Sequence, residues 1–330
     1  MIYTLKDDQL KPFDLKKSPS LIHKRLSDAD ASQPGGESFK GLSKLLPEQK
    51  LVAIIDYDEL AELAIELKIP DRVVQDCLSK KTSKFESHLG FDFITLNVPV
   101  GSVRQKAINR ICMILNDMQL LFVCHDNKVI LDIVQSIEAH EILNVSLGKI
   151  MHVFFDRLTF DDSLELEKIE QEITDLEEQL MNAKQIDFRF LVIFRRKLLT
   201  LKLYYEQLLE IYEGIEQNEN GLIEPKELRY FKILEGRANR LYNGVLNLRD
   251  YVTQVREALQ TQTDIRLNSV MKVFTVITSV FFPLTLIVGW YGMNLQMPEF
   301  GWRYGYPFVI GLIVITAAAT IIFFKKKKWF

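Results

Sequence analysis

The chain has 330 residues, enough for one large domain or two ordinary ones, and 26% of them are charged. Its formal net charge of −3 argues against a nucleic-acid-binding protein. Three widely spaced cysteines without a CxxC pair argue against a disulfide framework and indicate reduced thiols in the cytosol. The N-terminus lacks a long apolar run, so no cleavable signal peptide is expected.

Residues 1–150 alternate short apolar runs with amphipathic ones, which is typical of an α/β domain. Residues 27–38 contain Pro34 and two glycines and are expected to form a loop. We therefore predict a cytoplasmic α/β domain over 1–150. Its expected strands are 51–55, 91–98, 108–116 and 119–124, and its expected helices are 58–68 and 128–142.

From about residue 161 the apolar residues follow a heptad pattern. Acidic residues dominate 165–178, and basic residues dominate the first half of a second helical stretch, 188–213. This predicts a helical hairpin within 151–222, in which the charges either pair or simply face solvent. A third helix begins near Pro225 and continues without a proline to Phe282, which predicts a long stalk over 223–272.

The C-terminal part contains two long uncharged stretches, Val273 to Trp290 and Tyr306 to Phe324. At 1.5 Å per residue each covers roughly 27 to 29 Å, close to the hydrocarbon thickness of a bilayer. We predict a membrane hairpin with one span at 273–291, an external loop at 292–305, a second span at 306–324 and a basic tail at 325–330.

Lysines set the predicted orientation. Lys325, Lys326, Lys327 and Lys328 follow the second span, whereas the loop between the spans has Arg303 as its only base. The positive-inside rule then places both termini in the cytoplasm of a multi-pass protein of the cell membrane.

One face of the first span carries polar groups that a lipid-facing stripe would not need. Because two helices cannot enclose a water-filled path, conduction would require several copies around an axis. The threonines of the stripe could line such a path or could simply bond back to the helix backbone. The predicted pore face comprises Asn268, Met271, Thr275, Thr278, Phe282, Thr285 and Gly289.

The end of the first span carries Tyr291-Gly292-Met293-Asn294, followed by Met297-Pro298-Glu299. The first motif resembles the YGMN signature of the CorA magnesium transporters, and the second resembles the MPE element of their loop. The resemblance implies a funnel-shaped homopentamer that moves divalent cations through a bilayer. Asn294 would form the outer ring that meets hydrated magnesium, and Gly292 would allow a backbone conformation that other residues resist.

Two positions depart from the resemblance. Phe274 and Phe282 stand where the family has aliphatic residues or methionine, and aromatic rings there would still form a hydrophobic gate. The family can also carry a regulatory magnesium site between neighbouring cytoplasmic domains. Here the candidates are Glu86, His88, Asp92 and Glu235, against the plainer interpretation of a solvated strand edge.

The competing functions are weaker. No P-loop, HExxH or GxSxG is present, so neither an enzyme nor an organic cofactor is expected. Cys124-His125-Asp126 could suggest a metal ligand or nucleophile, but a structural role is favoured. We expect magnesium as the transported and candidate regulatory ion, with cobalt, nickel or zinc transport, or a membrane-tethered protein without transport, as alternatives.

Overall fold

The computed structural model describes residues 1–6, 9–12, 50–60, 64, 69–79, 83–100, 107–182, 189–293 and 297–327. They divide into two compact units. The first unit comprises Met1–Gln179 and Asp187–Thr253, and the second comprises Leu180–Ile186 and Gln254–Phe330. The loop predicted over 27–38 lies outside the described residues.

The first unit contains a seven-stranded sheet with the strand order β2-β1-β3-β7-β6-β5-β4. All neighbours are antiparallel except β3 and β7, which are parallel. The strands are β1 (Ile2–Lys6), β2 (Gln9–Pro12), β3 (Lys50–Ile55), β4 (Lys84–His88), β5 (Phe91–Val100), β6 (Ala107–Leu115) and β7 (Gln119–Val123).

Seven α-helices and one 3₁₀ turn are described. In chain order they are α1 (Asp71–Leu78), α2 (Lys128–Glu138), α3 (Leu147–Leu158), α4 (Asp162–Asn182), α5 (Arg189–Gln217), α6 (Pro225–Tyr291), the 3₁₀ turn Pro298–Gly301 and α7 (Gly305–Lys326). Residues 57–60 and 64 are also helical.

The two central parallel strands are buried on both faces, which explains their continuous apolar sequences. One face packs against α1 and the helical residues before it, through Leu60, Val73 and Cys77. On β7, Phe122 lies 5.3 Å from the ring of Phe154 of α3, measured between centroids. The sheet therefore forms the middle layer of an α/β unit.

Three of the seven strands were not predicted, and each lies near a sheet edge. Strand β1 ends in a lysine, β2 contains one, and β4 has the sequence Lys-Phe-Glu-Ser-His. Charged residues are characteristic of edge strands, where they discourage pairing with other chains. Such residues also mask the apolar alternation on which sequence prediction depends.

Helix α2 ends at Glu138 rather than at the predicted Ile142. His140 adopts a left-handed conformation with φ of 59°, and the amide of Glu141 donates to the carbonyl of Ser136 at 3.0 Å. These are the features of a helix terminus that is normally built on glycine. The sequence shows no glycine there, so the stop was missed.

The two helices predicted within 151–222 are present as α4 and α5, and the residues that join them lie outside the described part of the chain. The heptad seam of α4 is buried at Leu166, Ile169 and Ile173. Lys197 of the basic helix donates to Glu165 of the acidic helix at 2.8 Å, so at least one charge pair joins the two helices. An exposed pair of this kind contributes about 1 kcal/mol or less.

In the second unit, α6 continues to Tyr291 and α7 spans 305–326. Both contain a stretch long and apolar enough to cross a membrane, and only 6% of each stretch is buried within the chain. That exposure distinguishes them from the core helices of a soluble protein. The domain boundaries derived from the sequence stay predictions.

Candidate functional site

The span within α6 has one packed side and one open side. Val276 is buried at 4% exposure, and the partly buried residues recur on its side of the helix. At about 100° per residue, the predicted pore stripe from Met271 to Gly289 lies roughly opposite. The partly buried positions are Ser279, Val280, Pro283, Leu284, Ile287 and Tyr291.

The open side carries three threonine hydroxyls. Thr275, Thr278 and Thr285 each donate to the backbone carbonyl four residues earlier, at 2.8, 2.9 and 2.9 Å. A hydroxyl has one hydrogen and two lone pairs, so each oxygen keeps acceptor capacity on the exposed face. Bonding to the backbone and lining a water path are therefore compatible.

The remaining stripe residues are exposed as well. Phe274 and Phe282 are 61% and 71% exposed, and a Cβ added to Gly289 would meet no atom within 4 Å. Asn268 and Met271 lie further toward the N-terminus on the same open surface. Within a single chain, nothing described covers this side of the helix.

Helix α6 ends within the YGMN motif. The amide of Gly292 donates to Val288 at 2.8 Å, and a Cβ at Gly292 would lie 3.0 Å from that same carbonyl oxygen. The carbonyl oxygen of Val288 thus leaves little room for a side chain at Gly292, and the expected role of this glycine in the backbone conformation stays a prediction. Met293 is 46% exposed.

Two of the predicted site residues lie in the loop after the first span, and the structure describes one of them only in part and the other not at all. Asn294 lies outside the described residues. Glu299 belongs to the 3₁₀ turn Pro298–Gly301, of which the backbone alone is described at that position. After this turn the rings of Trp302 and Tyr304 lie 6.1 Å apart, both exposed. Amphipathic rings of this kind suit the membrane–water interface.

The basic tail begins within the last turn of α7. Lys325 and Lys326 occupy its end and Lys327 follows, all exposed. Cations at this position are favoured by the negative end of the helix dipole. Lys328 lies outside the described residues.

The proposed regulatory residues Glu86, His88 and Asp92 share the β4–β5 hairpin but do not converge. Glu86 Oε2 lies 3.2 Å from His88 Nε2. Asp92 pairs across the hairpin with Ser87, which alternates with those two residues, so its side chain is on the other face.

The Glu86 carboxylate is already engaged. Lys84 donates to Glu86 at 2.8 Å and to Asp76 at 2.8 Å. Burial raises the pKa of Glu86, but the hydrogen bond and charge of Lys84 outweigh burial and the pKa is lowered overall. A metal ion at Glu86 would have to displace this ammonium.

Asp92 is 3% exposed and is held by two donors, Ser87 at 2.9 Å and Asn220 at 2.7 Å. Burial raises its pKa despite these hydrogen bonds. Asn220 was not predicted as important. Its amide nitrogen also lies 2.7 Å from the carbonyl of His88, so the turn after α5 holds the hairpin closed.

Glu235 is apart from that hairpin and interacts instead with Glu216 of α5. Burial, followed by the charge of Glu235, raises the pKa of Glu216. Within the described part of the chain, no group of three or more His, Cys, Asp or Glu side chains could hold a metal ion. The four candidates are therefore not assembled into one site by a single chain.

Cys124-His125-Asp126 forms no reactive centre. Burial raises the pKa of the Cys124 thiol to about 12, which keeps it protonated. His125 is exposed and its Nδ1 lies 3.1 Å from an oxygen of Asp56. The favoured structural role of this run fits that geometry.

Comparisons with known proteins agree with the α/β unit, the long helix and the two apolar helices described above. The sequence matches the CorA-like Mg²⁺ transporter protein family over residues 53–326. It is 32% identical over 182 residues to the cobalt/magnesium transport protein CorA of Thermotoga maritima. That match covers 54% of this chain and 52% of the relative, so the chain spans about half of its length.

Two solved structures share the fold. The CorA magnesium transporter of Methanocaldococcus jannaschii superposes with a TM-score of 0.72 at 18% identity, covering 85% of this chain and 92% of that one. The full-length CmaX protein superposes with a TM-score of 0.74 at 16% identity, covering 99% and 97%. The α/β unit, the long helix and the two apolar helices thus form a known architecture.

Proposed function

Because the chain belongs to the CorA-like Mg²⁺ transporter family, we propose that it conducts hydrated divalent cations, magnesium above all, through a membrane pore built from several copies. The observation that carries the proposal is the two-sided span of α6. The side around Val276 packs within the chain, and the side with the three threonines and Gly289 stays open.

The chemistry of the open side suits a hydrated ion. Water bound to magnesium is a hydrogen-bond donor, and magnesium releases that water reluctantly. The oxygens of Thr275, Thr278 and Thr285 can accept from such water while their own hydrogens remain bonded to the helix. The amide oxygen of Asn294 would add a further acceptor at the outer mouth.

The assembly follows from the number of spans. Two helices per chain cannot surround an aqueous path, so the open sides of several α6 spans would face a common axis. We propose a homopentamer in the cell membrane with both termini in the cytoplasm, an orientation supported by the lysines after α7. Phe274 and Phe282 would narrow the path as apolar rings.

Regulation by magnesium remains part of the proposal in altered form. Glu86, His88, Asp92 and Glu235 cannot supply a ligand set within one described chain. A regulatory site at these residues would therefore need groups from a neighbouring copy, and Lys84 would compete with the ion for Glu86.

The decisive experiment is a flux assay on the full chain in liposomes, with magnesium, cobalt, nickel and zinc offered separately. We expect magnesium flux, with cobalt as the second substrate because the Thermotoga relative bears both names. Asn294→Ala should lower magnesium flux by about tenfold, equivalent to about 1.4 kcal/mol, with assembly unchanged.

Asn247→Ala, on an exposed part of α6 in the first unit, is the matched control and should conduct normally. The absence of flux for every ion would reject the transport proposal. Equal flux through the Asn294 and Asn247 variants would instead reject the asparagine ring.

A further inference from the structure

A cavity of about 390 Å³ opens between the start of α4 and the middle of α6, within the first unit. Its size is within the usual range for small-molecule sites. Its lining combines cationic, hydroxyl and apolar groups, which the proposed transport function does not use. The lining residues are Phe160, Ser163, Leu166, Arg237, Arg240 and Leu241.

The cationic wall consists of two arginines one helical turn apart on α6. Arg237 is oriented by Asp156, whose carboxylate accepts from its Nη1 at 2.8 Å. A guanidinium has five N–H groups, so this contact fixes the side chain and leaves donors for a ligand. No carboxylate is paired with Arg240 among the described ion pairs.

The opposite wall adds polar groups suited to an oxyanion. Ser163 is the second residue of α4, so its backbone N–H is among those that an α-helix leaves without an internal partner. Its hydroxyl is a further donor. Arginine side chains, a hydroxyl and a free backbone N–H are the kinds of donor that bind a phosphate.

The rest of the cavity is apolar. Leu166 and Leu241 form a buried base at 9% and 3% exposure, whereas Phe160 is 71% exposed. An exposed phenyl ring beside a cationic pocket can stack on a planar aromatic group. The cavity thus offers a phosphate end and an aromatic end.

Four carboxylates near the cavity limit how strongly it attracts an anion. Two of them form ion pairs at 2.8 Å, Asp156 with Arg237 and Glu165 with Lys197. Burial raises the pKa of Asp162 to about 6, so this carboxyl is mostly ionised at neutral pH and is protonated in mild acid. Asp161 is the fourth. The pairing of Glu165 with Lys197 thus removes part of the negative charge near Arg237 and Arg240, and Asp161 and Asp162 retain the rest.

We propose that this cavity binds a nucleotide, with its phosphates on Arg237, Arg240 and Ser163 and its base against the ring of Phe160. The site lies in the α/β unit and uses no residue of the predicted pore. The proposal of nucleotide binding can therefore be tested independently of cation transport.

Isothermal titration calorimetry on the full chain in detergent tests the proposal, with EDTA present so that metal binding does not contribute. ADP, pyrophosphate and adenosine are the probes. We expect saturable ADP binding with a dissociation constant below about 1 mM, weaker binding of pyrophosphate and none of adenosine.

Variants locate the site. Arg240→Ala should weaken ADP binding by about tenfold, and Arg240→Lys by less because a point charge remains. Phe160→Ala should weaken ADP by several-fold and leave pyrophosphate unchanged, since base stacking on an aromatic ring contributes about 1 to 3 kcal/mol. Arg249→Ala, an exposed arginine further along α6, is the matched control.

Three results would overturn the proposal. The first is no saturable ADP binding to the unmodified protein, including the case in which a neighbouring copy covers the cavity. The second is equal loss of affinity in the Arg240→Ala and Arg249→Ala variants, which would indicate a nonspecific charge effect. The third is pyrophosphate binding as tightly as ADP, which would remove the aromatic half of the site.

Discussion

Among single residues, Asp162 destabilises the folded state when it is ionised, because its carboxylate is buried. Its Oδ2 is buried and has no hydrogen-bond partner in the described structure, and burial raises its pKa from 3.8 to about 6. A carboxyl whose pKa is raised on folding favours the folded state at low pH. This contribution declines as pH rises above about 4 and is lost once pH exceeds 6.

Asp162→Asn should therefore stabilise the protein at neutral pH by roughly 1 to 2 kcal/mol, because it removes a buried charge and keeps an acceptor for Tyr205. Melting temperature measured from pH 7.5 down to pH 4 checks this. The difference in melting temperature between the Asp162→Asn variant and the unmodified protein should decrease as the pH falls over that interval. An advantage that is independent of pH would show that ionisation is not the cause.

Phe282 is the second residue with a testable role. It is 71% exposed within the chain, so Phe282→Ala opens no cavity inside a single subunit. We expect normal assembly and a raised ion leak, because the apolar ring that would close the pore by dewetting is removed.

Flux and melting temperature of the same Phe282→Ala preparation separate this role from packing. A fall in both would indicate that the ring packs against a neighbouring copy, and the gating role would be wrong. Ile277→Ala, an exposed aliphatic position in the same span, provides the comparison.

At the scale of elements, a glycine determines how closely α5 approaches the edge strand β4. A Cβ at Gly214 would lie 2.6 Å from Cγ of Phe85, and the ring Cδ1 would be closer still. No aromatic ring in van der Waals contact with a helix backbone can accept that methyl group without movement.

Gly214→Ala should thus destabilise the protein by about 1 to 3 kcal/mol, as overpacking usually does. Gly236→Ala on α6 is the opposite case, since its Cβ would meet a single atom, at 3.7 Å on flexible Arg240. Replacing a mid-helix glycine there should stabilise by up to about 1 kcal/mol. Melting temperatures of both variants test the pair, and equal shifts would contradict the packing argument.

The sequence predicted elements well where one apolar pattern dominates. Strands β3, β5, β6 and β7 and the apolar stretches of α6 and α7 were found because burial or lipid demands continuous apolar residues. Strands β1, β2 and β4 were missed because their charged residues hide the pattern. The candidate metal residues Glu86 and Asp92 are close in sequence, yet pleating puts them on opposite faces.

For the whole molecule, the proposed pore implies several copies around the open side of α6. A single chain leaves large apolar side chains exposed along the span, and lipid or neighbouring copies must cover them. Because the stripe on that side is polar, neighbouring copies around a water path would cover it better than lipid would.

We therefore expect the detergent-solubilised protein to be a closed ring of five copies. Native mass measurement, corrected for bound detergent, checks the number. A stable monomer that conducts magnesium would contradict the pore model, whereas a closed ring with another number of copies would contradict the pentamer alone.

The hydrogen bonds from Asn220 to the β4–β5 hairpin have a consequence for the chemical stability of the protein. Asn220 is followed by Gly221, a pairing in which the amide is readily lost as ammonia because the next residue has no side chain to shield it. The Asn220 nitrogen faces four oxygens, those of the Ser87 hydroxyl, the His88 and Phe91 carbonyls and the Asp92 carboxylate. Deamidation would replace this donor with a second carboxylate beside Asp92. The closure of the β4–β5 hairpin thus depends on the chemical lifetime of one side-chain amide.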